Sequence, residues 1–310
     1  MTLDIEKSAR AIVETHAQAM GVDGWTPRRL PSQAPETPVE QAVQMACFHL
    51  GFDDIDARVL GRAWLAQSER SGRFDPDRWP EDRRDFGMPP WPRRDAFPDC
   101  PRELGLYAVL PDATWVGAMA RAGVPTVQLR FKSSDPHAIA REVGAAVAAV
   151  QGTACLLFIN DHWQDAINAG AYGVHLGQED LDKLSTDELR TLRTSGLRLG
   201  VSTHGYSEMV RADRLSPSYM ALGAVFPTTL KRMATAAQGT GRLERYARLM
   251  SPYSLVAIGG IDADRMPEVV ASGVGSVAVV RAIVGAANPE AAARALIEKL
   301  AQLRADRADT

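Results

Sequence analysis

Cysteine is scarce in this 310-residue chain: there are three, Cys47, Cys100 and Cys155, and none stands at metal-site spacing. Three thiols cannot all pair, and reduced thiols in a cytoplasmic protein are expected. Charge of one sign is also missing. The net charge of -3 leaves no global field to draw in nucleic acid or an anionic membrane. No apolar run is long enough to span a bilayer. The opening residues, MTLDIEKSAR, lack the basic start and apolar core of a signal peptide. A glycine-rich dinucleotide turn is absent too, because the segment after the first predicted strand reads PDATWVG. What is present is 45% hydrophobic and 24% charged residues, the composition of a soluble globular protein long enough for one large α/β barrel and something smaller.

The first part, residues 1–73, reads as helical. Ile5, Ala9, Ile12, Val13 and Met20 fall largely on one helical face. Thr37, Pro38 and Glu40 form a start signal, a cap followed by proline at the first helical position and a capping-box glutamate. A third helix is predicted over 54–71, with Leu60, Ala63 and Trp64 turned inward and Gly72 ending it. Residues 74–103 form a linker. Seven prolines and five arginines lie within 75–101, together with Trp79 and Trp91. Acidic residues interleave with the arginines, which favours an extended arm with tryptophans packed on a neighbouring surface over a nucleic-acid contact.

Residues 104–310 alternate regularly. Apolar strand candidates are 104–110, 124–131, 155–159, 173–176, 197–202, 219–226, 255–258 and 274–280, with helical patterns that include 135–150, 181–194, 241–249, 262–272 and 289–303. Eight such alternations predict an α/β fold, a (β/α)8 TIM barrel carrying an N-terminal helical extension and a Pro-rich linker. An open doubly wound sheet is the competitor, and the missing glycine-rich turn speaks against it.

In such a barrel the chemistry lies at the C-terminal ends of the strands. The second strand puts Gln128, Arg130 and Lys132 on one side, an expensive arrangement unless an anion meets the cations. The third delivers Asn160 and Asp161. Two roles are open for Asp161, a helix cap and a Mg2+ ligand. Gln178, Glu179 and Asp180 follow the fourth strand. After the fifth come Ser202, Thr203 and His204, open between a helix cap with a surface histidine and an acid–base group. Thr228 and Lys231 lie in a long polar loop after the sixth, suited to phosphate and to closing over it. Gly259 and Gly260 after the seventh, and Val280 and Arg281 after the eighth, stand where barrels often hold a phosphate. Two anionic sites suit a reaction that joins two phosphorylated molecules.

The motifs QLRFK at 128–132, IND at 159–161, GVHLGQEDL at 173–181, GVSTH at 200–204, LGAVFPT at 222–228, AIGGI at 257–261 and VAVV at 277–280 appear in order at matching strand ends. In them the chain resembles the thiamine phosphate synthases over about 104–303. That resemblance implies a transferase that joins hydroxymethylpyrimidine pyrophosphate to a thiazole phosphate, with Mg2+, and releases pyrophosphate. It implies that Arg130, Lys132, Asn160 and Lys231 hold the pyrophosphate and that Asp161 binds Mg2+. Gln128 and Ser202 would address the pyrimidine. Thr228 would contact substrate, and Gly260 with the backbone near Val280 and Arg281 would take the thiazole phosphate. The chain departs from the family at three places. Tyr172 is read as standing where a second Mg2+-binding aspartate is expected, with Glu179 or Asp180 as substitutes. Leu230 replaces a threonine and Arg281 a serine. A thiazole tautomerase of the same barrel, using His204 as acid and base, is the alternative enzyme. A non-catalytic regulatory protein that binds a thiamine precursor is the alternative from another class. Residues 1–100 are open as a helical cap, a dimer contact or a partner-docking module.

Overall fold

Short apolar stretches bounded by glycine, and amphipathic stretches that begin on a capping residue, set the order of elements along this chain. The structure, a computed structural model, describes residues 3–22, 37–228 and 236–308. Eight strands, β1 (Leu106–Leu110), β2 (Thr126–Leu129), β3 (Leu156–Asn160), β4 (Gly173–Leu176), β5 (Arg198–Thr203), β6 (Tyr219–Leu222), β7 (Ser254–Ala257) and β8 (Ser276–Val279), pair in parallel in chain order. β8 closes on β1 through the Leu106–Val277 register, so the sheet is a closed barrel and the open doubly wound alternative is ruled out.

Before the barrel come α1 (Ile5–His16), α2 (Pro38–His49) and α3 (Asp54–Ser71). Around it lie α4 (Ala113–Arg121), α5 (Pro136–Val150), α6 (Trp163–Ala169), α7 (Gln178–Lys183), α8 (Thr186–Thr194), α9 (Tyr206–Leu215), α10 (Gly239–Leu249), α11 (Met266–Ala271), α12 (Arg281–Val284) and α13 (Pro289–Ala308). The single helix expected over 181–194 is two. Ser185 accepts from the Glu188 N–H at 3.3 Å while the Glu188 carboxylate accepts from the Ser185 N–H at 2.9 Å, a capping box that restarts the chain as α8. The sixth strand, expected to reach residue 226, stops at Leu222, and Val225 and Phe226 instead bond the turn after β7.

Pleat alternation points Tyr107, Val109, Phe158, Tyr219, Ala221, Val256 and Ala278 into the barrel, where they form a cluster of their own. The rings of Phe158 and Tyr219 fit because residues 173 and 200 are glycines; a Cβ at either would collide with them. The opposite strand faces pack beneath the helices in a second cluster.

That outer cluster runs on into the N-terminal helices without a break. Thr37 caps α2, its Oγ1 accepting from the Glu40 N–H at 3.2 Å, and Asp53 caps α3 by accepting from the Asp56 N–H at 2.8 Å. Leu60, Ala63 and Trp64 of α3 are fully buried, as the periodicity predicts. Full burial of a side chain the size of Leu60 contributes about 1.5–3 kcal/mol. The linker lies along the barrel wall. Trp79 is buried and donates its Nε1–H to the Tyr206 hydroxyl at 2.8 Å, while Trp91 meets Tyr253 edge-on with ring centres 4.8 Å apart.

Candidate active site

A cavity of about 810 Å3 opens at the C-terminal ends of the strands. Its floor is a chain of polar side chains inside the barrel. The Gln128 Nε2–H donates to the Tyr107 hydroxyl at 3.0 Å. Tyr107 and Tyr219 share a hydrogen bond of 2.7 Å, Tyr219 meets His175 Nδ1 at 2.7 Å, and His175 Nε2 meets Ser202 Oγ at 2.8 Å. Because Gln128 supplies a hydrogen at one end, one consistent order follows: Tyr107 donates to Tyr219, Tyr219 to Nδ1 of His175, and His175 Nε2–H to Ser202. The Ser202 hydroxyl hydrogen is then left for the cavity. Burial pushes the Tyr107 and Tyr219 phenols well above their usual range, so the chain holds neutral hydroxyls. Sequence reasoning found Gln128 and Ser202 and missed Tyr107, His175 and Tyr219. The signal for them was pleat alternation within strands that otherwise read as apolar.

Above the floor stand the cations. Gln128, Arg130 and Lys132 all line the cavity, as their alternation requires. Among the described residues the Arg130 guanidinium has no acidic or hydrogen-bonding partner, and neither has Arg281, which lines the same cavity after β8. Lys132 Nζ meets Asp161 Oδ2 at 2.5 Å. Asn160 ends β3, buried and facing the same space. Asp161 has a left-handed backbone, φ 66°, and caps nothing: α6 begins without a side-chain cap. The helix-cap role is therefore overturned, and the carboxylate is spent on the cavity rim.

Glu179 and Asp180, at the start of α7, line the cavity as well. Asp180 Oδ2 accepts from the Gly177 N–H at 3.1 Å and Lys183 stands 3.7 Å from its other oxygen. Tyr172 is a correction. It precedes β4 and so sits at the opposite, N-terminal end of the barrel, outside the cavity lining. There its ring meets Phe158 edge-on at 5.4 Å and the Arg198 guanidinium covers its face at 4.5 Å. No carboxylate at 172 would reach the mouth from there, so Tyr172 displaces no ligand. Among the described residues no cluster of three or more His, Cys, Asp or Glu side chains stands ready for a metal. Two rim carboxylates, Asp161 and Asp180, fit an ion such as Mg2+ that takes one or two carboxylates and completes its shell with phosphate and water.

The turn after β5 is tightly held. His204 Nδ1 and the His204 N–H both meet Glu208 Oε2 at 2.7 Å, and Gln238 donates its amide N–H to the His204 carbonyl. Thr203 bonds the Ala221 carbonyl at 3.1 Å, and α9 has no side-chain cap from Ser202 or Thr203, so the capping role considered for them falls away. Ser202, His204 and Thr228 line the cavity; Lys231 and Leu230 lie outside the described residues. Gly260 has φ 67°, and a Cβ there would press on the Pro227 carbonyl at 2.7 Å, so its glycine is dictated by the turn. Gly260, after β7, and Val280 and Arg281, after β8, bring backbone and a cation to the same cavity as Arg130.

Comparison with known proteins follows the same lines. Residues 106–283 match the family model described as thiamine monophosphate synthase. The chain is 51% identical over 199 residues to a thiamine-phosphate synthase of Neisseria meningitidis, 64% of this chain and 96% of the relative. It is 48% identical over 202 residues to one of Serratia proteamaculans, 65% of this chain and 94% of the relative. A solved thiamine phosphate pyrophosphorylase from Pyrococcus furiosus superposes with a TM-score of 0.58 at 25% identity, covering 65% of this chain and 98% of its own.

Proposed function

This chain belongs to the thiamine monophosphate synthase family, and we propose that its cavity carries out that family's transfer, joining a hydroxymethylpyrimidine pyrophosphate to a thiazole phosphate. The observation that carries the site assignment is a pair of unpartnered cations among the described residues, Arg130 after β2 and Arg281 after β8, lining one cavity at strand ends that flank β1. Two anion-accepting groups of residues around a single polar floor suit two phosphorylated substrates held together in one cavity.

Arg130, Lys132 and Asn160 hold the pyrophosphate, with Lys231 joining from the sixth loop. As the bond to the pyrimidine methylene breaks, negative charge collects on the departing pyrophosphate, and Arg130, Lys132 and Asn160, already placed at the strand ends, stabilise it. Ser202 and Gln128 orient the pyrimidine through the polar floor. Gly260, Val280 and Arg281 hold the thiazole phosphate, and Thr228 contacts substrate from the sixth loop. The thiazole nitrogen is the nucleophile, so no side chain has to remove a proton from it. His204, its Nδ1–H held by Glu208, lines the cavity beside Ser202 as a polar wall rather than an obligatory base. Asp161, with Asp180 as the second carboxylate, would hold Mg2+, which when bound adds positive charge at the pyrophosphate oxygens. Among the described residues no helix is long and apolar enough to cross a membrane.

The test is direct. Purified protein, both phosphorylated substrates and Mg2+ are combined, and thiamine phosphate is read as fluorescent thiochrome. Product that needs both substrates is expected; none across a range of Mg2+ concentrations overturns the reading. A change in thiazole absorbance without the pyrimidine would favour the tautomerase.

A further inference from the structure

The match to the relatives leaves no room in them for the first hundred residues of this chain, since about 200 residues already cover 94–96% of their length. Among the described residues, the hydrogen bonds those first residues share with helices of the barrel region fall on two of the ten. The two are α9 and α10, which carry the chain away from β5 and β6; Ser202 lies in β5, and His204 and Thr228 lie in the loops that follow these strands.

The contact with α9 is a cap supplied from elsewhere in the chain. Asp56, in the first turn of α3, is buried, and its two oxygens accept from the Tyr206 N–H at 3.0 Å and the Ser207 N–H at 2.9 Å. α9 has no capping side chain of its own. Its N-cap is Gly205, with an extended backbone (φ -179°), and a Cβ there would collide with the Asp56 carboxylate. The carboxylate therefore lies between the N-terminal turns of α3 and α9, both of which favour negative charge. Burial pushes its carboxyl above the usual range, and the Ser207 and Tyr206 groups oppose that rise. Around this cap Phe86 stacks on Tyr206 with ring centres 5.4 Å apart. On α10, Arg242 donates to the Leu50 carbonyl at 2.7 Å and Arg245 to His16 Nδ1 at 3.2 Å.

Both helices reach the site. Glu208, in the first turn of α9, holds His204 by ring and backbone, and Gln238, at the start of α10, holds the His204 carbonyl. We propose that the N-terminal extension is a brace for the active site and that Asp56 is its positioning residue, fixing the first turn of α9 and through Glu208 the turn that presents Ser202 and His204. Asp56 touches no substrate. It acts through the helix it caps, and its consequence for turnover rests on the function proposed above.

The experiment uses the full chain. Asp56→Ala removes the cap and opens the space over residue 205; Asp56→Ala with Gly205→Ser places a capping hydroxyl within α9 itself. Asp56→Ala is expected to lower kcat by about ten-fold or more, as small misplacements of a site do, with the KM for each substrate changing by less, at a temperature where circular dichroism shows it folded. The ring 15N signals of His204 are expected to move, and the double variant to regain most of both. A wild-type kcat in Asp56→Ala overturns the brace, and so do unmoved His204 signals or a double variant that recovers stability without kcat. Asp56→Asn, which keeps the volume and one acceptor, is read by the same criteria if Asp56→Ala does not fold. A wild-type protein that forms no product overturns the proposed transfer instead, while the His204 signals still read the brace without turnover.

Discussion

The arginines of the linker and those of the cavity mouth are the same side chain put to opposite uses. Where the linker meets the barrel, Arg83 pairs with the fully buried Asp213 at 2.7 Å, and Arg93, paired within the linker to Asp95 at 2.8 Å, donates to the Asp213 carbonyl at 3.1 Å. At the mouth, Arg130 and Arg281 have no partner among the described residues, and Lys132 has only a rim aspartate. Paired cations fasten the extension to the barrel. Unpaired cations around a cavity are held in place for an anion that arrives later. The largest expected effect tests that contrast. Arg130→Ala should lower kcat/KM by about a hundred-fold or more, the usual cost of removing one preorganised charge donor, and leave the melting temperature nearly unchanged, because no hydrogen bond or ion pair among the described residues is lost. Thiochrome kinetics beside a thermal melt measure both; a large loss of stability with modest loss of activity would put Arg130 in the fastening class.

A middle-sized effect sharpens the other side. His16 is buried in the extension between Arg245, which donates to its Nδ1, and the Pro76 carbonyl, which accepts from its Nε2 at 3.1 Å. Burial first, then the Arg245 charge, pulls its pKa down to about 4. The unfolded chain binds that proton near pH 6.5. Stability carried by this site is therefore complete above pH 6.5 and is lost as pH falls from there towards about 4. The loss is about 2 kcal/mol by pH 5. Urea midpoints measured from pH 7.5 to 5 should slope downward, and His16→Gln, which cannot protonate, should flatten that part of the curve. An unchanged slope would mean that acid acts elsewhere.

The barrel was legible because its elements are local. Apolar runs, glycines and capping residues announce themselves within a few positions, and the α3 boundaries, 54–71, follow from Asp53, Asp54 and Gly72. The cavity face was legible for a related reason: polar side chains at the ends of apolar strands have few other places to go. What stayed hidden depends on partners far apart in the chain. The bond between Asp56 and Tyr206 spans 150 positions, and nothing near either residue signals it. Tyr107 and Tyr219 sit inside strands that read as plain core, and their hydroxyls acquire a role only when the barrel closes them together. α7 and α8 blurred into one because an apolar spacing continued across the Ser185 box. Tyr172 was misplaced for a geometric reason, since one residue before a strand and one residue after it lie at opposite ends of a barrel.

That last point yields the smallest effect. Phe158 and Tyr219 connect the two ends of the barrel interior, with ring centres 5.0 Å apart, and Tyr172 packs against the lower of these rings. If end decides role, Tyr172→Asp should leave the Mg2+ concentration dependence of turnover where it was. An aspartate at 172 gives up the edge contact with Phe158 and the face offered to Arg198, and gains an exposed ion pair with that arginine. Exposed pairs contribute about 0–1 kcal/mol and an aromatic contact about 0.5–1.5 kcal/mol, so the net change is a destabilisation of about 1 kcal/mol or less. A Mg2+ titration of kcat for the variant and the parent reads the first expectation, and a urea midpoint the second. Tighter use of Mg2+ by Tyr172→Asp would place residue 172 within reach of the pyrophosphate and break the division between the two ends. The matching change at the mouth, Asp180→Asn, should shift the same titration to higher Mg2+, because it removes a carboxylate from the rim that Asp161 shares.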